Sequence, residues 1–371
     1  MLSQLSESNA WTGKLVFDSG DLFQGQFRLV PEQEKQVVAT AEFIVDQFNK
    51  TDVSAITLGD RDTLLGPETL KALHKRARFP FLVANLLDAS TGKPMFDDHI
   101  IKEVDGVKVG VFGVTMTSAE RRPTDGSPMA WRVDNPIKVA KEQVKVLKEK
   151  GAEVIISLAH LSQSELKSLA QQVPDVSAIL AGSGTRAMTH PDTESGVFIC
   201  EAHSKGKYLS VLTLHIWDSR SPSDSFVDRF KREGLMLEVQ KLEARLTSYQ
   251  RLVEKKEALE KGKPRSEAKT VNPSRARTVG SEYYKKQLVK IRADKASMEL
   301  EIDDLKPVDP SANYVVYELA PVKKSLPDQA TIGKEVLAFR AKYPKLKPGA
   351  RARKVPAVPP KRTKLKAAPR R

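Results

Sequence analysis

Cysteine is almost absent: Cys200 is the only one in 371 residues. That excludes an intramolecular disulfide and any metal cluster built on several thiolates. Cys200 lies in GVFICEA among apolar neighbours, the setting of a buried structural thiol rather than of a nucleophile. Long apolar runs are missing too, since none reaches the ~20 residues that a membrane-spanning helix needs. The opening MLSQLSESNAWTGK has neither the basic start nor the apolar stretch of a secretory signal, so the sequence as written reads as cytoplasmic. Acids are absent from residues 340–371, which hold 13 Lys or Arg. That segment supplies 13 of the net charge of +14 and leaves +1 for the rest, so the basic character belongs to a tail and not to a domain. Residues 344–371 are rich in Lys, Arg and Pro with almost nothing apolar to bury, and are expected to be disordered. Such a tail suits a polyanion, either nucleic acid or an acidic membrane surface, through salt-sensitive contacts. No aromatic residue lies beyond Tyr343, which leaves base stacking without a carrier there.

What is present is an alternation of strand-like and helix-like segments over residues 14 to about 217. Residues 14–17 and 54–58 are short apolar runs, each ending at an acidic turn. Residues 31–50 have helical spacing, with Pro at a position that suits a first turn. Asp105-Gly106 between two apolar runs has strong hairpin chemistry. Residues 135–150 form an amphipathic helix opened by Pro136, followed by the strand-like EVIISL and then His160. Buried strands alternating with helices indicate an α/β layered domain, whose polar turns follow strand ends where such folds build their sites. After Ser219 the character changes. Leu235, Val239, Leu242, Leu246, Tyr249 and Val253 are spaced 4, 3, 4, 3, 4, and Tyr284, Leu288, Ile291, Met298, Ile302 and Leu305 continue the rhythm, with Lys295 at one seam position. An antiparallel coiled-coil hairpin is the reading, with a parallel self-associating dimer as the rival; either could hold a protein partner. Residues 313–319 form a returning strand or a docking segment, and residues 332–343 a short helix.

Six polar turns stand in order: DSGDLFQG at 18–25, LGDRD at 58–62, VANLLD at 83–88, LAHLS at 158–162, ILAGSGTR at 179–186 and HSKGKYLSVLTL at 203–214. Their order and spacing resemble the calcineurin-like metallophosphoesterases, in particular the 5'-nucleotidase branch, over roughly residues 12–217. The resemblance implies a layered α/β/β/α sandwich at residues 1–219. The rest of the chain then divides into the coiled-coil hairpin at 220–309, a short docking segment at 310–343 and the disordered tail at 344–371. It also implies hydrolysis of a phosphate monoester, a nucleotide among them, by water on a pair of divalent ions. Members of that branch are usually periplasmic or in the cell envelope.

Position by position, the resemblance implies Asp21 as the carboxylate bridging two metals, Asp60 in place of an Asn ligand and His160 as a lone His ligand. Arg61 stands where the catalytic His belongs, and a guanidinium keeps its proton near neutrality, so it cannot serve as a general acid. Arg61 with Asp60 and Asp62 also reads as a local ion-pair turn, or as a phosphate clamp. Ser183 and Thr185 replace late imidazole ligands with weakly coordinating hydroxyls. The family's earlier Asp-x-His motif has no counterpart in residues 1–17, which contain neither Asp nor His. These substitutions leave at most one divalent ion, Mn, Zn or Mg, with activity weakened or lost. Asn85 is the substrate-side candidate, though an Asn at a strand end also serves to tie down backbone. Asp21 equally reads as a turn cap, and His160 as a hydrogen-bonded structural histidine. The base-stacking C-terminal domain of the nucleotidases is replaced here by heptads and the tail, so a catalytically inactive scaffold is the alternative reading.

Overall fold

The first strand is very short: β1 (Phe17–Asp18) pairs in parallel with β2 (Ala55–Ile56). Between them a 3-10 turn, Pro31–Gln33, leads into α1 (Glu34–Phe48), which buries Ala41 and Val45 one helical turn apart. The computed structural model describes residues 11–24, 29, 31–119, 130–184, 188, 190–203, 206–216, 226–228, 231–261, 280–305, 312–322 and 330–343. After β2 a 3-10 turn, Asp62–Leu65, precedes α2 (Pro67–Arg76), with Pro at the first helical position. Strand β3 (Leu86–Asp88) is followed by the hairpin of β4 (His99–Val104) and β5 (Val107–Thr115). Asp105 and Gly106 both take positive φ, +51° and +80°, as a two-residue hairpin turn that matches strand twist requires. Strand β6 (Trp131–Val133) pairs with β3, and α3 (Pro136–Glu149) is capped by the Asn135 carboxamide, which accepts from Ile137 N and Lys138 N at 3.0 Å each. Strand β7 (Val154–His160) leads to α4 (Gln163–Gln172) through a Ser162–Glu165 capping box. Strands β8 (Ala178–Ala181), β9 (Asp192–Glu194), β10 (Val197–Glu201), β11 (Tyr208–His215) and β12 (Val227–Asp228) follow.

A six-stranded central sheet runs β4-β5-β7-β8-β10-β9, with β5, β7, β8 and β10 parallel and antiparallel strands at both edges. The C-terminal ends of the parallel strands therefore share one edge. Side-chain alternation along β7 feeds two cores: Ile155 and Ala159 join Phe112, Leu147, Leu166 and Leu169 beneath α3 and α4. Val154, Ile156 and Leu158 face the other way, onto Ala55 and Leu82. Ile56, next to Ala55, points to a third core with Val45, Leu70, Leu73 and Phe81, beneath α1 and α2. The fold is thus mixed α/β with a central sheet, helices packed on one of its faces and the β1–β2 layer on the other.

Cys200 on β10 is buried, and burial first, then the Asp228 and Asp192 carboxylates, pushes its thiol far up. A thiol so held is inert. Thiol reagent added to native protein should leave Cys200 unlabelled, and labelling should track unfolding across a denaturant series; rapid native labelling would contradict its place in the core.

The long helices α5 (Lys231–Lys261) and α6 (Ser281–Asp304) run antiparallel: Lys231 pairs with Glu301 at 2.6 Å, Lys295 with Glu243 at 3.4 Å and Lys285 with Glu257 at 2.9 Å. The 4-3-spaced residues are those withdrawn from solvent, with Leu235, Leu242, Leu288, Ile291 and Ile302 buried, and Tyr249 meets Tyr284 at 5.6 Å between ring centroids. The residues joining the two helices, 262–279, lie outside the described residues. Strand β13 (Tyr314–Pro321) then pairs antiparallel with β11 along its whole length, completing a three-stranded sheet with β12. These elements belong to one compact unit, Met1–Pro327. The second unit, Asp328–Arg371, contains α7 (Ala330–Lys342), in which the Phe339 and Tyr343 rings lie 4.9 Å apart. The basic tail at 344–371 lies outside the described residues, and among those described no helix is long and apolar enough to cross a membrane.

Candidate metal centre

The turn after β1 and the turn after β2 are held together by one carboxylate. Asp62, fully buried, accepts at one oxygen from Phe23 N at 2.8 Å. Its other oxygen accepts from Asp21 N at 2.8 Å, Gly59 N at 2.9 Å and Leu22 N at 3.4 Å. These bonds hold Asp21 at φ +59°, a left-handed conformation that a non-glycine residue takes only when its surroundings dictate it. Gly59 makes the approach possible, because a Cβ there would come within 2.6 Å of Asp21 N. Asp21 Oδ1 accepts from Arg61 N at 3.1 Å, and Asp21 Oδ2 lies 3.2 Å from Arg61 Nε.

His160 comes to this turn pair from the C-terminal end of β7, almost wholly buried. Its Nδ1 donates to the Ser19 carbonyl at 3.0 Å; a carbonyl can only accept, so this bond fixes which nitrogen carries the inner proton. Nε2 is thereby aimed at Asp21 Oδ2 and Asp60 Oδ1, 3.6 Å from each. One ligand atom from each of Asp21, Asp60 and His160 lies within 4.8 Å of the other two. Two ligands at ~2.1 Å from a tetrahedral ion stand roughly 3.4 Å apart, so the 3.6 Å separations suit an ion. The donor set, two carboxylates and one imidazole with a backbone carbonyl behind it, fits a hard or borderline divalent cation.

The electrostatics point the same way. Burial raises Asp21, with His160 and Arg61 opposing it. Burial pushes Asp62 up to about 6, and pushes Asp18, whose carboxylate accepts from Gly20 N at 3.0 Å, up to about 7. Burial pulls His160 down, but Asp60 and Asp21 outweigh it and its net shift is upward. The carboxyl shifts come first from burial and only then from the neighbouring acids, whereas for His160 those acids prevail over burial.

Asp21, Asp60 and His160 are therefore brought together as the sequence implied. Arg61 reaches across to Asp21 with both its side chain and its backbone N–H. Asn85 is a correction. It is fully buried; its amide donates to Thr115 O at 2.7 Å and Asp134 O at 3.1 Å, and its Oδ1 accepts from Thr115 N at 2.9 Å. Its polar atoms are committed to backbone, so it is a structural tie and offers a substrate nothing. The Ser183 hydroxyl donates to the Leu161 carbonyl, and Thr185 lies outside the described residues. Sequence reasoning missed the clamp made by Asp62. An acid two residues after Asp60 was the only signal, and all its partners but Gly59 lie about 40 positions upstream.

No family model matches the chain. The "Uncharacterized metallophosphoesterase YunD" of Bacillus subtilis (strain 168) is 26% identical over 206 residues, covering 54% of this chain and 42% of the relative. A "5'-nucleotidase" of Vibrio parahaemolyticus is 25% identical over 228 residues, 53% of this chain and 39% of the relative. The chain thus spans less than half the length of these curated relatives. Among solved structures, the sulfate thiohydrolase SoxB of Thermus thermophilus matches with a TM-score of 0.51 at 22% identity, over 58% of this chain and 38% of that one, a likeness of fold. The N-terminal half of this chain is thus similar in sequence to metallophosphoesterases and 5'-nucleotidases.

Proposed function

We propose that the N-terminal domain is a 5'-nucleotidase-like metallophosphoesterase whose centre takes one divalent ion, Mn2+, Zn2+ or Mg2+, on Asp21, Asp60 and His160, with hydrolysis of phosphate monoesters weak or lost. The observation that carries this reading is the convergence of those three ligand atoms within 4.8 Å. A nucleotide or another phosphate ester is the substrate class, in keeping with the 5'-nucleotidase among the relatives. When bound, the ion would supply Lewis-acid stabilisation of phosphate charge. The chain's own residues prepare for it: the Ser19 carbonyl sets the tautomer and aim of His160, and Asp62 fixes the turn that presents Asp21. The weakness follows from what stands nearby, because Arg61 does not release a proton near neutrality and Asn85 is spent on backbone.

Calorimetric titration of the full chain should find about one Mn2+ or Zn2+ bound at micromolar concentration. Turnover of 5'-AMP or p-nitrophenyl phosphate with that metal should be slow or undetectable. No binding would defeat the metal assignment; fast metal-dependent turnover would defeat the weakness.

A second reading, an inactive phosphatase-fold scaffold that engages a protein through α5 and α6, draws support from Leu300 and Val289, apolar side chains 67% and 68% exposed on α6. Flat activity in the same assay, together with a protein partner captured through residues 225–306, would favour it.

A further inference from the structure

We propose that Arg61 acts as a fixed positive charge on Asp21, in the place where a second cation would otherwise be shared, and so holds the centre to a single ion. The inference rests on the one-ion reading above. Asp21 is engaged from two sides. Its Oδ2 faces His160 Nε2 at 3.6 Å and Arg61 Nε at 3.2 Å, while Oδ1 accepts from the Arg61 backbone at 3.1 Å. The carboxylate therefore already has a cationic partner besides the position it shares with Asp60 and His160. A second metal ion on Asp21 would have to displace that guanidinium, which does not neutralise itself by losing a proton.

Asp18, Asp21, Asp60 and Asp62 bring four carboxyl groups to the two turns, and the Arg61 guanidinium is the positive charge set directly against Asp21. Arg61 is positioned for this by the backbone: its own N–H is bonded to Asp21, so side chain and main chain grip the same carboxylate. Arg61 is in this sense a residue that sets stoichiometry and affinity for the ion, acting through Asp21.

The experiment is a Mn2+ titration of the full chain and of Arg61→Met and Arg61→Lys, read by calorimetry and by electron paramagnetic resonance. Wild type should bind one Mn2+ with the spectrum of an isolated ion, since two ions on a shared carboxylate would lie ~3.5–4 Å apart and couple. Arg61→Met, of similar length but uncharged, should bind Mn2+ about tenfold tighter or more, because a like charge beside a ligand oxygen is gone. Arg61→Lys, which keeps the charge, should stay nearer to wild type than Arg61→Met does. A spin-coupled pair in wild type, or equal affinity in wild type and Arg61→Met, would overturn the role of Arg61 while leaving the ligand set standing. No Mn2+ bound by any of the three proteins would overturn the one-ion reading and this inference together.

Discussion

Asp62→Ala should lower the stability of the first unit by about 4 kcal/mol, a fall in Tm of roughly 6 °C, and should remove the metal site with it. The substitution leaves the amides of Asp21, Phe23 and Gly59 without the acceptor they now share, and the long contact from Leu22 N goes too. A buried donor deprived of its partner costs ~1–3 kcal/mol, and bonds to an ionised acceptor stand at the upper end. Part of that is offset, because the buried carboxylate is itself unfavourable, as its rise to about 6 shows. The net remains large because several donors fail at once and the positive φ at Asp21 loses what enforces it. Asp62→Asn should fall between Asp62→Ala and wild type. One carboxamide oxygen still accepts, but the NH2 opposes backbone donors where an oxygen stood. Thermal melts of the three metal-free proteins check the ranking; a change in Tm of less than 3 °C for Asp62→Ala would refute the clamp.

The parts of this fold that were legible in the sequence are those decided within a few residues. Asp105-Gly106 announces its turn because few residue pairs take positive φ twice in succession. Pro136 announces a helix start because its fixed φ and missing N–H suit the first turn. The parts that were not legible depend on chain segments meeting from far apart. Residues 313–319 read as a strand or a docking segment, and only the pairing of Tyr314–Pro321 with Tyr208–His215, about a hundred residues upstream, decides between them.

The site divides in the same way. Asp21, Asp60 and His160 were reached through the order of six turns, which carries long-range information that periodicity does not. The ion pair of Arg61 with Asp21 joins two turns about 40 residues apart, which no local pattern announces. For Asn85 the sequence offered both a substrate contact and a backbone tie, and its hydrogen bonds are those of the tie. A side chain at a strand end can face a cleft or the core, and Asn85 faces the core.

Divalent metal should stabilise wild type, and His160→Ala and Asp60→Ala should abolish that stabilisation. A ligand that binds only the folded state stabilises it by RT ln(1 + [L]/Kd), about 2.7 kcal/mol at a hundredfold excess over Kd, or roughly 4 °C in Tm for a unit of this size. Removing one of three protein ligands should weaken binding by at least about a hundredfold, since the remaining pair must draw the difference from water. The Tm of each variant should then be the same with and without Mn2+ at the concentration that shifts wild type. His160→Ala also releases the Ser19 carbonyl from Nδ1, so its metal-free Tm should fall as well. Melts of that variant with and without metal separate the two functions of the histidine, anchoring the β1 turn and presenting Nε2. A metal-induced shift that survives in both variants would place the ion elsewhere in the chain.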